Sequence, residues 1–289
     1  MSNKKVYYLG VIVNDGGNTA VVNVKNLEKA ERNKFIKSVD NVRKWLDADF
    51  DSYSILEHAY DRLYSTVQEV EQELAKPYMP DVRKQLVAIN SDFLSFLSMM
   101  RLYLDHYAAR IGKSNSRELA DFNAICSGEF NNYSSYKIFS QLRNFAQHRG
   151  MPITGISGSQ SLNKRTGKPS YRFELYFNRD ELLSYKKAWK KEVREAIEAS
   201  PKKMDVLKNT TEVIHSIDSI RLKTFPICKH FYEQDAAYLL ELLELCSKYK
   251  TEPLVYEMEP TKLPTKANLH GNRFPLEALA YYRALIAAQ

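Results

Sequence analysis

The longest regular pattern of apolar residues in this chain lies between residues 81 and 112. Apolar side chains recur there at two positions of a seven-residue repeat, namely Leu86, Phe93, Met100 and Tyr107, and Ile89, Phe96, Leu104 and Ile111. This spacing places both series on one face of a helix. About 30 residues in that conformation would be ~45 Å long. The pattern predicts a long helix at the core of a helical bundle.

Two shorter stretches combine β-forming residues with turn residues and predict β-hairpins. In the first, residues 5–13 and 19–25 flank an Asp-Gly-Gly-Asn turn. In the second, residues 153–160 and 170–177 flank a polar tip at 163–168. We therefore expect two hairpins appended to the helices.

Helical periodicity and helix-ending residues define the remaining elements. Further helices are predicted over about 53–75, from 116, and over 132–149, 179–199, 203–223, 228–249 and 276–288. Pro77 and Pro80 separate the first of these from the long helix, and the proline-rich tail from 251 is expected to be mostly extended. Asn178 and Glu181 have the spacing of an N-cap residue and its reciprocal acid. The fold is predicted to be mainly α.

The order of these elements divides the chain into five predicted segments. They are an N-terminal hairpin (1–26), a helical core (27–150), a second hairpin (151–178), C-terminal helices (179–250) and a tail with a terminal helix (251–289).

Composition and charge restrict the class of protein. Hydrophobic residues make up 44% of the 289 residues, which is enough for a packed core and argues against disorder. The 42 lysines and arginines outnumber the 35 acidic residues, and a net charge of +7 favours an anionic partner. No segment approaches the ~20 apolar residues that cross a bilayer, and Cys126, Cys228 and Cys246 form no CxxC pair. We expect a cytoplasmic protein without a membrane partner.

Common motifs for nucleotide binding and catalysis are missing. Thr166-Gly167-Lys168-Pro169 lacks the first glycine and the final Ser or Thr of a phosphate-binding loop. Neither GxGxxG, HExxH nor GxSxG occurs, and the six histidines have no metal-ligand spacing. Conventional kinase, dehydrogenase and hydrolase chemistry is therefore disfavoured, and we expect neither a metal nor another cofactor.

The helix predicted over 132–149 combines an apolar side with a polar side that has catalytic potential. At about 100° per residue, the polar side consists of Arg143, Asn144, Gln147 and His148. The predicted helix is labelled α5 below, and these four residues are called the α5 stripe. The opposite side consists of Ile138, Phe139, Leu142, Phe145 and Ala146. Gly150 and Pro152 follow, and Gly150 is expected to end the helix in a left-handed conformation.

These polar side chains suit the cleavage of RNA. An imidazole exchanges protons near neutral pH, and a guanidinium stays charged while it holds a phosphate. Because RNA carries its own nucleophile in the 2′-hydroxyl group, the site needs only proton transfer and charge stabilisation, without a metal. DNA lacks this hydroxyl group and is not expected to be cut.

At Arg143-Asn144-Phe145-Ala146-Gln147-His148 the sequence resembles the HEPN (higher-eukaryote and prokaryote nucleotide-binding) superfamily. Its motif is an arginine, then usually a polar residue, and a histidine shortly after, near the end of a helix in a helical bundle. The resemblance covers about residues 53–150. It implies that Arg143 contacts the scissile phosphate, that His148 is the general acid or base, and that Asn144 assists.

Active members of that superfamily are metal-independent endoribonucleases of toxins and antiviral defence, and they usually dimerise. For this chain the resemblance implies RNA as substrate, a product with a 2′,3′-cyclic phosphate, and a homodimer. An antitoxin or defence-system protein is a further candidate partner.

Other candidate residues could either contribute to the functional site or be ordinary solvent-exposed surface residues. Arg101, Asp105 and His106 form a second Arg-x4-His match that could line the same cleft as Gln147, or could be polar positions on an outer helix face. The candidates for contacts with the RNA backbone are Lys164, Arg165, Lys168, Lys187 and Lys190. Glutamates occur on the same predicted helix (179–199) as Lys187 and Lys190, so these lysines could instead belong to a solvent-exposed charged face without a ligand.

Three functions follow from these residues. The leading one is a metal-independent endoribonuclease that acts as a toxin or an antiviral-defence effector. The alternative is a non-catalytic HEPN-type module that binds RNA, a nucleotide or a protein. In the third, the polar residues are structural, and Arg143 and His148 cap the helix end, satisfy carbonyl groups of the bundle or serve a dimer interface.

Overall fold

Over the residues that the structure describes, the protein is mainly α-helical and contains two antiparallel sheets, which confirms the prediction of a mainly α fold. The computed structural model describes residues 6–15, 18–74, 76, 81–162, 169–185, 188–249, 251–258 and 271–289. Contacts along the chain define two compact units, one formed by Met1–Phe50 with Cys228–Gln289 and the other by Asp51–Ile227. Within the described ranges, no helix has both the length and the apolar character that a membrane span requires.

The elements are, in order, β1 (Val6–Asp15), β2 (Asn18–Leu27), α1 (Lys29–Val42), α2 (Ala48–Leu74), α3 (Val82–Gly112), α4 (Ser116–Asn132), α5 (Ser134–His148), β3 (Gly155–Leu162), β4 (Pro169–Asn178), α6 (Arg179–Ser184), α7 (Lys191–Ala199), β5 (Lys203–Asp205), α8 (Val206–Cys228), α9 (Glu233–Cys246), β6 (Pro253–Met258), β7 (Gly271–Arg273) and α10 (Leu276–Ala287). A π-helical turn, Arg43–Asp47, joins α1 to α2. Short 3₁₀ turns flank α9 at Lys229–Phe231 and Ser247–Tyr249.

The unit formed by the two ends of the chain contains a four-stranded sheet in the order β2-β1-β6-β7. Its first two strands are the predicted N-terminal hairpin, and β6 pairs with β1 so that Tyr8 lies opposite Tyr256. Gly10 is required at this point, because a Cβ atom there would lie 2.7 Å from the Tyr256 ring and 2.9 Å from the Val22 carbonyl oxygen. Asp235 of α9 accepts hydrogen bonds from Ser38 and Asn41 of α1, at 2.6 and 2.7 Å.

The unit over Asp51–Ile227 is organised around α3. The predicted apolar face of this 31-residue helix is buried from Ile89 to Ile111, with Leu104 half-buried within it. Asp81 begins the helix by accepting a hydrogen bond from the Lys84 backbone N–H at 3.1 Å. The second predicted hairpin, β3 and β4, joins β5 in a three-stranded sheet.

Four phenylalanines, called the aromatic cluster below, connect α3, α5 and β4. They are Phe93, Phe96, Phe139 and Phe177, and none is more than 1% exposed. The Phe139 ring lies 5.4 Å from Phe93, 5.8 Å from Phe177 and 6.5 Å from Phe96, each nearly perpendicular to it. Such edge-to-face pairs add to the stability that burial of the rings already gives. The cluster therefore fixes which side of α5 faces the core.

Buried Asn90 attaches the chain beyond α5 to α3. Its Nδ2 donates to the carbonyl oxygens of Leu86 and Ile153, at 2.9 and 2.7 Å. Its Oδ1 accepts from the Ile153 N–H at 3.2 Å. One side chain thus satisfies both backbone polar groups of Ile153 in a buried segment that has no sheet or helix partner there.

Some predicted details are wrong. The single helix expected over 179–199 is two helices, because Trp189 is buried and its Nε1 donates to the Leu182 carbonyl oxygen at 2.8 Å, which a continuous helix does not allow. Residues 203–205 form strand β5 instead of the start of a helix. Gly150 is not left-handed, and the chain leaves α5 at Arg149, whose φ is −130°.

Phe139→Ala is expected to lower the free energy of unfolding by about 3–5 kcal/mol, because it leaves a cavity at the centre of the aromatic cluster. Half-buried Phe130 on α4 is the matched control, and Phe130→Ala should cost clearly less. Urea titrations of both variants measure the difference. An equal loss of unfolding free energy in both variants would show that the aromatic cluster contributes no more to stability than a half-buried phenylalanine does.

Asn90→Asp is expected to cost about 1–3 kcal/mol or more, because an aspartate has no N–H for the buried Ile153 carbonyl oxygen and leaves it unsatisfied. Exposed Asn123 on α4 provides the same substitution without burial, and Asn123→Asp should be close to neutral. The midpoint of thermal unfolding reports both effects. A neutral Asn90→Asp would contradict the role given to this side chain.

Candidate functional site

The α5 stripe lies entirely on the outer surface of its helix. Arg143, Asn144, Gln147 and His148 are exposed. The buried residues of the predicted apolar side are Ile138, Phe139, Leu142 and Phe145, and Ala146 is half-buried. The predicted amphipathic character of α5 is therefore confirmed, and its polar side is available to a ligand.

None of the four stripe side chains has a hydrogen bond or an ion pair with any residue that the structure describes. Arg143 and Gln147 are neighbours at the i,i+4 spacing, as are Asn144 and His148. The structural interpretation, in which Arg143 and His148 cap the helix or satisfy carbonyl groups, has no hydrogen bond among the described residues to support it. Four side chains with hydrogen-bonding groups thus face solvent.

Trp189 and Lys190, which precede α7, pack against α5 beside the stripe. Trp189 stacks on Phe145, with ring centroids 5.0 Å apart and an interplanar angle of 11°. The next residue, Lys190, donates its backbone N–H to the Gln141 side-chain oxygen at 3.0 Å. Gln141 precedes Asn144 by three residues and therefore lies on the same side of the helix. Exposed Lys190 is thereby held next to the α5 stripe.

Lys190 is one of the five predicted RNA-contacting residues. The other four lie outside the described residues and are Lys164, Arg165, Lys168 and Lys187. The contact of the Lys190 backbone with Gln141 holds this residue against α5, the helix that carries Arg143 and His148.

The second Arg-x4-His match lies elsewhere on the same unit. Exposed Arg101 and Asp105 form an i,i+4 ion pair with an N–O distance of 2.8 Å, and His106 is also exposed. Helices α3 and α5 run antiparallel. Asn90, near the start of α3, bonds to Ile153 beyond the end of α5, whereas Phe96, later in α3, contacts Phe139 in the first half of α5.

Arg101 consequently lies near the start of α5. Burial raises the pKa of the Tyr136 phenol, and the Arg101 charge opposes this rise in pKa. Tyr136 and His148 are twelve residues apart, which corresponds to ~18 Å along the helix. The structure does not bring Arg101, Asp105 or His106 together with the α5 stripe in one chain.

A cavity of about 220 Å³ opens just beyond the last turn of α5. It is lined by Phe145, Gly150, Met151, Pro152, Thr154, Asn178, Glu181, Leu182 and Tyr185. The Thr154 hydroxyl donates to the Glu181 carboxylate at 2.6 Å. Sequence reasoning missed this site, because Thr154 and Glu181 are 27 residues apart and no local pattern links them.

The predicted N-cap of α6 is present, but its reciprocal acid is not. The Asn178 side chain accepts from the backbone N–H groups of Asp180 and Glu181, at 3.1 and 3.4 Å. Glu181 turns to Thr154 and the cavity instead of to the backbone of Asn178. A residue expected to serve the helix end thus faces a potential ligand site.

The arrangement on α5 can supply a charged donor for a phosphate, an imidazole for proton transfer and two side-chain amides for hydrogen bonds. In the part of the chain that the structure describes, no group of three or more His, Cys, Asp or Glu side chains is placed to hold a metal ion.

Comparisons with known proteins provide no relative from which a function could be transferred. No family model matches the sequence, and neither a curated protein nor a solved structure matches this chain. The resemblance to the HEPN superfamily rests on Arg143, Asn144 and His148 and on the helix that carries them.

Proposed function

We propose that this chain is a metal-independent endoribonuclease that acts through Arg143, Asn144 and His148. The observation that carries the proposal is the α5 stripe itself. Its side chains have the chemistry for cleavage of RNA, are exposed, and have no bonding partner among the described residues. The other side of this helix is tightly packed, which fixes the points on the backbone from which these side chains extend.

In the proposed reaction the 2′-hydroxyl oxygen of one nucleotide attacks its own 3′-phosphorus. A general base takes the hydroxyl proton, and a general acid gives a proton to the departing 5′-oxygen. The products are a 2′,3′-cyclic phosphate and a 5′-hydroxyl group. Arg143 binds the phosphate and stabilises the extra negative charge of the transition state. Asn144 donates a further hydrogen bond to the phosphate.

A second copy of the chain completes the proposed site. The reaction needs both a base and an acid, and each stripe offers one imidazole. Arg143 and His148 also lie about 140° apart around α5, so a phosphate bound by the one is not necessarily within reach of the other. A two-fold dimer places two stripes in one cleft, so that each phosphate meets residues of both chains. The homodimer is part of the proposal.

The proposed cellular role follows from the resemblance. A ribonuclease of this kind would act in the cytoplasm as a toxin or as an effector of antiviral defence. A neutralising antitoxin or another protein of the defence system would be its partner.

His148→Ala and Arg143→Ala are each expected to reduce RNA cleavage by about 100-fold or more. General acid–base catalysis contributes about 10²–10⁴, and loss of one donor that stabilises transition-state charge costs about 10²–10³. The assay measures cleavage of single-stranded RNA in the presence of EDTA. Arg101→Ala and His106→Ala are the matched controls, because they change the same residue types at exposed positions away from the stripe. Both should retain activity.

Two results would contradict the proposal. One is cleavage that disappears with EDTA and returns with magnesium. The other is stable RNA binding without cleavage and without dependence on His148, which would favour the non-catalytic binding module.

Coexpression of wild-type and His148→Ala chains tests the shared cleft. At equal amounts, random pairing puts about half of the wild-type chains into mixed dimers. If those dimers are inactive, cleavage per wild-type chain falls by about half. A rate per wild-type chain that does not change would show that each chain acts alone.

A further inference from the structure

The cavity at the end of α5 has no part in the proposed bond cleavage, yet it lies next to the proposed catalytic residue. Phe145, which lines the cavity, precedes His148 by three residues. Residues at this spacing have Cβ atoms ~5–6 Å apart on a helix surface. A group bound in the cavity therefore lies beside His148, the proposed general acid or base.

Aromatic rings form one wall of this cavity. Tyr185 meets Phe145 edge to face, with centroids 5.2 Å apart and an interplanar angle of 85°. Trp189 covers a face of Phe145, so the Phe145 ring is only 3% exposed and is held in place. Tyr185, in contrast, is 38% exposed. An aromatic ring that is supported on one side and open on another is suited to stacking with an unpaired base.

The polar side of the cavity offers a hydrogen-bond acceptor, the Glu181 carboxylate. The Glu181 carboxylate is exposed and accepts one hydrogen bond, from Thr154 at 2.6 Å. An ionised carboxylate has about four lone-pair sites, so Glu181 retains capacity for a ligand while Thr154 fixes its orientation. The Asn178 oxygen is already engaged by two backbone N–H groups.

Among the RNA bases, guanine presents two adjacent N–H donors, N1–H and N2–H, on its Watson–Crick edge. Adenine and cytosine place a ring-nitrogen acceptor beside their amino group, and uracil has a single N–H between two carbonyl oxygens. A carboxylate can pair with both donors of guanine and is repelled by the acceptors of the other bases.

The size of the cavity also fits a single base. Its volume of about 220 Å³ lies below the roughly 300–1,000 Å³ of pockets that enclose larger ligands. It has room for one flat ring system, while the sugar and phosphate would remain outside, toward the α5 stripe.

We propose that this cavity binds a guanine base of single-stranded RNA, which stacks on Tyr185 and donates N1–H and N2–H to Glu181. This assignment rests on the proposed function, because it specifies the RNA that the α5 stripe would cleave. Cleavage is then expected next to guanosine.

Binding, measured separately from cleavage, tests this assignment. The His148→Ala protein is titrated, in EDTA, with short fluorescent oligouridylates that carry one central guanosine, inosine or adenosine, and anisotropy is recorded. The guanosine probe should bind roughly tenfold or more tightly than the adenosine probe, as expected for a two-bond contact to a base. Inosine lacks the N2 amino group and should be intermediate.

Variants assign this preference to its residues. Glu181→Gln in the same background should bring the affinities for guanosine and adenosine close together, whereas Glu192→Gln, at an exposed glutamate of α7, should leave the ratio unchanged. Tyr185→Leu should weaken every probe, because stacking tolerates any base. Tyr185→Phe should restore the affinity. Thermal unfolding of each variant confirms that it is folded.

The outcomes separate the base site from the ribonuclease activity. A guanosine preference that Glu181→Gln removes supports the base site, even if the wild-type protein cuts no RNA. Equal affinity for all probes, including no binding at all, overturns the base site even where His148 is required for cleavage. A preference that survives Glu181→Gln overturns it as well.

Discussion

The burial of Phe139 against Phe93, Phe96 and Phe177 determines what α5 presents to solvent. A helix with one apolar side has a single low-energy rotation about its axis. Turning α5 by one residue would bury charged or amide groups without partners, which costs far more than it gains. The core contact therefore places all four stripe residues outside, where Arg143 and His148 have no bonding partner within the described part of the chain.

Long-range contacts arrange the surface around the end of this helix. Asn90 holds Ile153, and Phe145 receives Trp189, so that the segments after α5 and after α6 return to the same helix end. Thr154 and Glu181 meet there and, with Tyr185, form a cavity beside the last turn. The residues of the proposed chemistry and Phe145 of the proposed base site thus lie on one rigid helix, and a rigid element holds functional groups more accurately than a free loop does.

Local periodicity accounts for what the sequence predicted well. The apolar face of α3, the polar side of α5 and both hairpins depend on residues close in the chain. Features that depend on distant residues could not be predicted. The break after α6 depends on burial of Trp189, and the short strands β5, β6 and β7 form through pairing with strands far away in the sequence. Likewise, no local pattern shows that the segment up to Phe50 joins the one from Cys228 in one compact unit. The stripe residues could be found from helical geometry, whereas Glu181 could not.

The central claim is that RNA is cut by its own 2′-hydroxyl group with proton transfer by His148. Phosphorus NMR of a short RNA incubated with the protein in EDTA tests it most directly, because the chemical shift of a strained cyclic phosphate differs from that of a monoester. The account predicts a 2′,3′-cyclic phosphate and a 5′-hydroxyl end, both absent with His148→Ala. A 5′-phosphate and a 3′-hydroxyl end would contradict it.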